Sequence, residues 1–98
     1  MPDQKTERAS KAATNWIKVK YQNIAENSIK FLDVSEYPTG RELKVEAEFK
    51  VIVGKYIQND VEIPIVKPYH LTLYVSKQWK VVHHEEPIIG EQEEWHSD

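Results

Sequence analysis

From Glu42 to Val53 the chain reads ELKVEAEFKVIV, with Leu43, Val45, Ala47, Phe49, Val51 and Val53 at every odd position. Glu42, Lys44, Glu46, Glu48 and Lys50 fill the even positions between them. Successive side chains of a strand point to opposite faces, so this stretch has one apolar face and one charged face. Wound as a helix, it would put glutamate and lysine on every side and leave no stripe to bury. It is therefore predicted to be a long antiparallel strand, one face on a core and one toward water.

The rest of the chain can be arranged around that strand. Between Thr6 and about Ile24, Ala9, Ala12, Ala13, Trp16, Ile17, Val19 and Ile24 recur at helical spacing, with Lys5, Arg8, Lys11 and Lys18 mainly on the wet side. Asp3 or Thr6 is expected to cap this helix, and Asn23 or Asn27 to end it. Its alanines allow close approach to a sheet, and Trp16 is its expected anchor. In Ser28–Tyr37, Ile29 and Phe31 share one parity while Leu32 and Val34 share the other, so a β-bulge or a doubly covered strand is predicted. Pro38-Thr39-Gly40 has turn chemistry, which joins this segment to the long strand as a hairpin.

Past Val53, a reversal is predicted between Gly54 and Asp60, with Gln58-Asn59-Asp60 at its tip. Val61, Ile63, Ile65, Tyr69, Leu71, Leu73 and Val75 restore the odd-position pattern, with Lys67 as the exception. Pro64 and Pro68 cannot donate to a ladder, so Val61–Val66 reads as an edge or bulged segment and Tyr69–Val75 as the better strand. Ser76-Lys77-Gln78 is the next loop, and Trp79–His84 the last strand. The predicted fold is α+β: one N-terminal amphipathic helix packed on a curved four-stranded antiparallel sheet, one domain over residues 1–86. Residues 87–98 have no period and read as an acidic, flexible tail. The competing expectation is that Ile88, Ile89 or Trp95 docks on the body, with the acids drawn to the basic helix.

Tyr69-His70-Leu71-Thr72-Leu73, a short turn and then Trp79-Lys80-Val81-Val82 resemble the closing strands of the cystatin-like superfamily. That group includes the nuclear transport factor two-like and ketosteroid-isomerase-like domains. The resemblance implies a helix cradled by a curved sheet. In its fuller members, further helices close a conical pocket; no segment for them is present here. Lys50-Val51-Ile52-Val53-Gly54 is also similar to the Gln-x-Val-x-Gly inhibitory hairpin of the cystatins, with Lys for Gln and Ile for the central Val. That similarity implies protease inhibition as one activity to weigh.

Composition narrows the function. Ninety-eight residues support one modest core. There is no cysteine, hence no disulfide framework and no thiolate chemistry. Residues 1–84 hold all 13 Lys and Arg against 10 acids, whereas residues 85–98 hold six acids and no Lys or Arg. The body's excess is too small and scattered for a nucleic-acid partner. No apolar run is long enough to span a bilayer, so direct membrane insertion is not expected. With Met1 as a native start the chain reads as cytoplasmic; as an excised domain it reads as extracytoplasmic.

No catalytic constellation or cofactor motif emerges. Asp33, Glu46, Glu48 and Glu62 are available, but isomerase-type chemistry needs a carboxylate and a tyrosine in one dry pocket. Glu46 and Glu48 fall on the wet parity instead. With only three glycines, the chain has no phosphate loop. His83-His84-Glu85-Glu86 looks like a ligand cluster, yet strand alternation sends His83 and His84 opposite ways, which favours polar surface over a metal site.

The expected function is a non-catalytic binding or assembly module that contacts a protein partner, or itself, through the exposed sheet face. The candidate face comprises Glu46, Glu48, His70, Thr72, Tyr74, Lys80, Val82 and His84. The alternative is a ligand-binding or enzymatic domain with a small-molecule pocket between helix and sheet. A three-residue loop at Ser76–Gln78 pairs Val75 with Trp79, Leu73 with Val81, Tyr74 with Lys80, Thr72 with Val82 and His70 with His84. Two opposed imidazoles would titrate as a coupled pair and weaken the fold in acid.

Overall fold

The computed structural model describes residues 4–38 and 40–96. The amphipathic segment forms α1 (Gln4–Lys20), with Ala9, Ala13 and Ile17, each four residues apart, fully buried. Thr6 lies inside the helix, and Asp3 lies outside the described residues. The helix stops short of Ile24 because the chain turns there onto the sheet. Ile24 bridges Val51, the Ala25 N–H donates to the Lys50 carbonyl at 2.9 Å, and the Ile52 N–H donates to the Asn23 carbonyl at 2.6 Å. Asn27 follows at φ 60°, a left-handed conformation that asparagine tolerates.

One curved antiparallel sheet faces α1. Its strands are β1 (Lys30–Glu36), β2 (Glu42–Gln58), β3 (Val61–Ser76), β4 (Val81–His84), β5 (Ile88–Ile89) and β6 (Glu93–Glu94). β1 to β4 lie in chain order, while β5 and β6 pair with β3. The class is α+β as expected, but the sheet has six strands rather than four. Val45, Ala47 and Phe49 of β2 and Leu71, Leu73 and Val75 of β3 form the core with the buried face of α1, and Trp16 packs against it. The odd positions of the sequence are thus the helix side of the central strand pair.

The parity slip in β1 is a bulge: Phe31 pairs with Ala47 and Asp33 with Glu46, leaving Leu32 as the extra residue. Just before β1, Ser28 is buried, and its Oγ accepts the Lys50 N–H at 3.1 Å. Ser28→Ala would remove that acceptor from a partly buried donor. It is expected to lower stability by about 1–2 kcal/mol in urea unfolding, whereas Ser28→Thr, which keeps the hydroxyl, should lose less.

Gly54 does not end β2. The strand runs on to Gln58 through a second bulge, with Ile52 opposite Val66, Gly54 opposite Ile65 and Val53 extra. The hairpin closes at the expected tip, where Asn59 (φ 52°) and Asp60 (φ 64°) make a two-residue turn of the primed kind. β3 is continuous through both prolines. The Pro68 carbonyl accepts the Gly90 N–H at 2.8 Å and the Pro64 carbonyl accepts the Trp95 N–H at 2.9 Å. A strand residue's N and carbonyl O point to the same side. The missing proline donors therefore face away from β2, and the β2–β3 ladder is left intact.

Two expectations are corrected at the last hairpin. Val75 does not pair with Trp79; the loop closes one residue pair later, where the Ser76 N–H donates to the Lys80 carbonyl at 2.8 Å, and within it the Trp79 N–H donates to the Ser76 carbonyl at 2.9 Å. Trp79 is thus a loop residue at φ 61°, in a position that usually favours glycine. It packs against the core with the Arg8 guanidinium 5.7 Å from its ring centroid. Val75 then pairs with Val81, and a bulge at Val82 sets Tyr74 opposite His83 and Leu73 opposite His84. His70 pairs with Ile88, so the proposed His70–His84 couple does not form.

Residues 85–96 follow the outer edge of β3. Their acids meet the sheet rather than the helix: Glu93 lies 2.9 Å from Lys50, and Glu94 accepts a hydrogen bond from the Tyr56 hydroxyl. The ends of β2 and β3 nearest the Asn59-Asp60 turn extend past α1 as an arm, in a molecule measuring 53 × 29 × 19 Å.

Candidate interaction face

α1 covers one side of the sheet; among the described residues no helix covers the other. Register arranges that open side as cross-strand rows. Lys30, Glu48 and His70 form one row, Asp33, Glu46 and Thr72 a second, and Ser35, Lys44, Tyr74 and His83 a third. Five predicted residues are therefore brought together: Glu46, Glu48, His70, Thr72 and Tyr74. Three are not. Lys80 is an exposed loop residue, Val82 is the bulged residue and 54% exposed, and the bulge turns His84 to the helix side, 4.9 Å from the Trp16 ring.

The open face has features that residue type and parity did not reveal. Tyr74, expected to be wet, is only 9% exposed. Tyr37 meets its ring edge-on at 5.1 Å, and His83 lies 5.3 Å away. The Tyr74 hydroxyl donates to Glu85 at 2.8 Å. Lys50 joins the same face and lies 3.5 Å from Glu48 as well as against Glu93. The Glu93 hydrogen bond is the main reason its ammonium holds its proton above the usual lysine range. Lys44 and Lys50 were legible from even parity. Tyr37, beyond the end of β1, and His83, moved by a bulge, carried no such signal.

No protein-family model, curated protein or solved structure matches this chain.

Hydrogen bonding to Glu85, followed by burial, pushes Tyr74 up from 10.0 to about 12. A group that binds its proton more tightly when folded contributes stability that is complete below its unfolded pKa. That contribution disappears as pH rises through the folded value. The window therefore runs from pH 10.0 to about 12. Denaturant unfolding across this window should fall more steeply with pH for the native chain than for Tyr74→Phe. Parallel slopes would show that the Glu85 contact is not kept in solution.

Other candidate chemistry is dispersed. His83 and His84 lie on opposite faces, and among the described residues no three metal-ligating side chains come together. Lys50–Gly54, similar to the inhibitory hairpin, lies within β2 and away from the Asn59-Asp60 turn. Between the end of α1 and β1 runs an open groove of about 610 Å³, with Tyr21, Ile24, Ile29 and Phe31 among its walls and Thr14 and Lys18 at its side. Among the described residues no helix is long and apolar enough to cross a membrane.

Proposed function

We propose that this domain is a non-catalytic protein-binding module whose partner sits on the open face of the sheet. The observation that carries this reading is the Asp33–Glu46 pair, two carboxylates directly opposite each other on adjacent strands. Neither forms an ion pair among the described residues, although the next row matches Lys30 with Glu48. Directly opposed like charges destabilise a strand pair, and groups retained against stability are a mark of function. A lysine or arginine of the partner, placed between them, turns that repulsion into attraction. Thr72 in the same row and the Tyr37–Tyr74–His83 cluster in the next supply polar and aromatic contacts of the kind interfaces use.

Photo-crosslinking residues placed at Thr72 or Lys44 in living cells should yield adducts with a protein, while Lys11 on the outer side of α1 should not. The double variant Asp33→Asn, Glu46→Gln should crosslink less and yet be more stable by about 0.2–1 kcal/mol. Equal yields from Lys11 and Thr72, or no adducts from the sheet, would contradict the assignment. A small-ligand reading rests on the groove between α1 and β1, whose apolar wall and polar side suit a compact amphiphile. Kinship with the cystatin-like and nuclear transport factor two-like folds is part of the same proposal. It is supported by the single helix lying across a curved antiparallel sheet.

A further inference from the structure

Residues 85–96 are held to the outer edge of β3 almost without burial. Only Pro87 and Trp95 among them are half-buried; the others are exposed, Ile88 by 73%. The carbonyls of Thr72, Pro68 and Pro64, four residues apart, accept the N–H groups of Glu85, Gly90 and Trp95, five apart. An ordinary strand keeps step with its neighbour. This strap does not, and it carries one extra residue between each pair of anchors.

Side chains supply what the ladder lacks. Pro64 and Pro68 have no N–H to return, and three donors of the body reach for carboxylates instead. The Tyr74 hydroxyl donates to Glu85 at 2.8 Å, the Lys50 ammonium lies 2.9 Å from Glu93, and the Tyr56 hydroxyl donates to Glu94. Residues 1–84 carry 13 Lys and Arg against 10 acids, whereas residues 85–98 carry six acids and no Lys or Arg. Charge, rather than apolar area, matches this strap to the edge.

Shape adds a second requirement. A Cβ at Gly90 would stand 2.7 Å from Cγ of Pro68, a ring atom with little room to move. The edge therefore takes an extended acidic segment with a glycine where it crosses Pro68.

We infer that the outer edge of β3 is a docking seat for an acidic extended segment of a partner protein, and that residues 85–96 fill it as the chain's own competing ligand. Adding an extended segment to a sheet edge is a recurring mode of peptide recognition, and here the prolines turn away segments that rely on a full ladder. The strap is suited to giving way, because few buried contacts and exposed hydrogen bonds place an element at the low-stability end of a fold. Its advantage is its tether, which acts like a concentration on the order of mM. The seat is the edge of β3 rather than its open face, so neither assignment needs the other.

A synthetic copy of residues 85–96 is the probe, titrated into the isotope-labelled full chain while the amide signals of Lys50, Tyr56 and Tyr74 are followed. A seat open in about a tenth of molecules or fewer binds at least about tenfold more weakly than a free one. Gly90→Ala in the chain should release the strap, seen as faster amide exchange at Trp95 with Val45 and Ala47 still protected. The same change should tighten peptide binding at least about tenfold. A peptide carrying Glu93→Gln and Glu94→Gln should bind the released chain about threefold more weakly or worse. No binding to the released chain, equal affinity for both chains, or equal affinity of the neutral peptide each overturns the inference. So does unchanged exchange at Trp95 in Gly90→Ala, since the fit at Pro68 then does not hold the strap.

Discussion

Phe49→Ala is expected to cost about 3–5 kcal/mol of stability, the range for deleting a buried phenylalanine. Phe49 is 0% exposed and the largest fully buried side chain among the described residues. Its ring lies 5.2 Å from Tyr21 and 5.6 Å from Tyr69, at the point where the helix hands the chain over to the sheet. Truncation therefore removes the filling of the layer and the support of two tyrosines together. Small domains are commonly stable by only about 5–15 kcal/mol, so the variant should unfold at markedly lower urea and bind a hydrophobic dye at moderate temperature. A midpoint close to that of the native chain would mean that this layer is not packed as described.

Ala13→Leu should destabilise by a different route, by about 1–3 kcal/mol and with a loss of helix–sheet contact rather than a cavity. Ala9 and Ala13 are both 0% exposed, which is how α1 can lie close against Ala47 and its neighbours. A longer side chain there must either lift the helix or leave its rotamer well. Lys11→Leu, on the exposed side of the same helix, is the control and should stay within about ±0.5 kcal/mol. Thermal unfolding of the two variants side by side separates a volume effect from a change in helix propensity.

The features that could be read from the sequence were those written in side-chain alternation. Odd parity from Leu43 to Phe49 placed the core, and the clash of parity between Phe31 and Leu32 located a real bulge. Gly54 misled because a strand-end glycine and a glycine within a strand look alike in one sequence. Its residue φ is not in the left-handed region, and β2 passes straight through it. The last hairpin failed for a related reason. Trp79 takes a backbone conformation normally given to glycine, so it resembled the first residue of a strand. A loop displaced in this way, together with the Val82 bulge, moved His84 off the candidate face. Residues 87–96 left no hydropathy signature because they are held by proline carbonyls, Lys50 and Tyr56 rather than by buried apolar side chains.

The β2–β3 hairpin also bears on the order in which the molecule assembles. Its two-residue turn is at the end farthest from the core, while the pairs in which both side chains are fully buried, Val45 with Leu73 and Ala47 with Leu71, lie far apart in sequence. Closing such pairs carries a loop entropy that the turn alone does little to offset. The folding nucleus is therefore expected where α1 meets the far ends of the strands, and the hairpin should open from its own turn. Amide exchange would register this as early loss of protection at Tyr56 and Gln58, whose N–H groups face β3, with Val45 and Ala47 opening only when the whole chain unfolds. The tightest local connection sets the register of the strands, and the most distant contacts set the rate at which they come together.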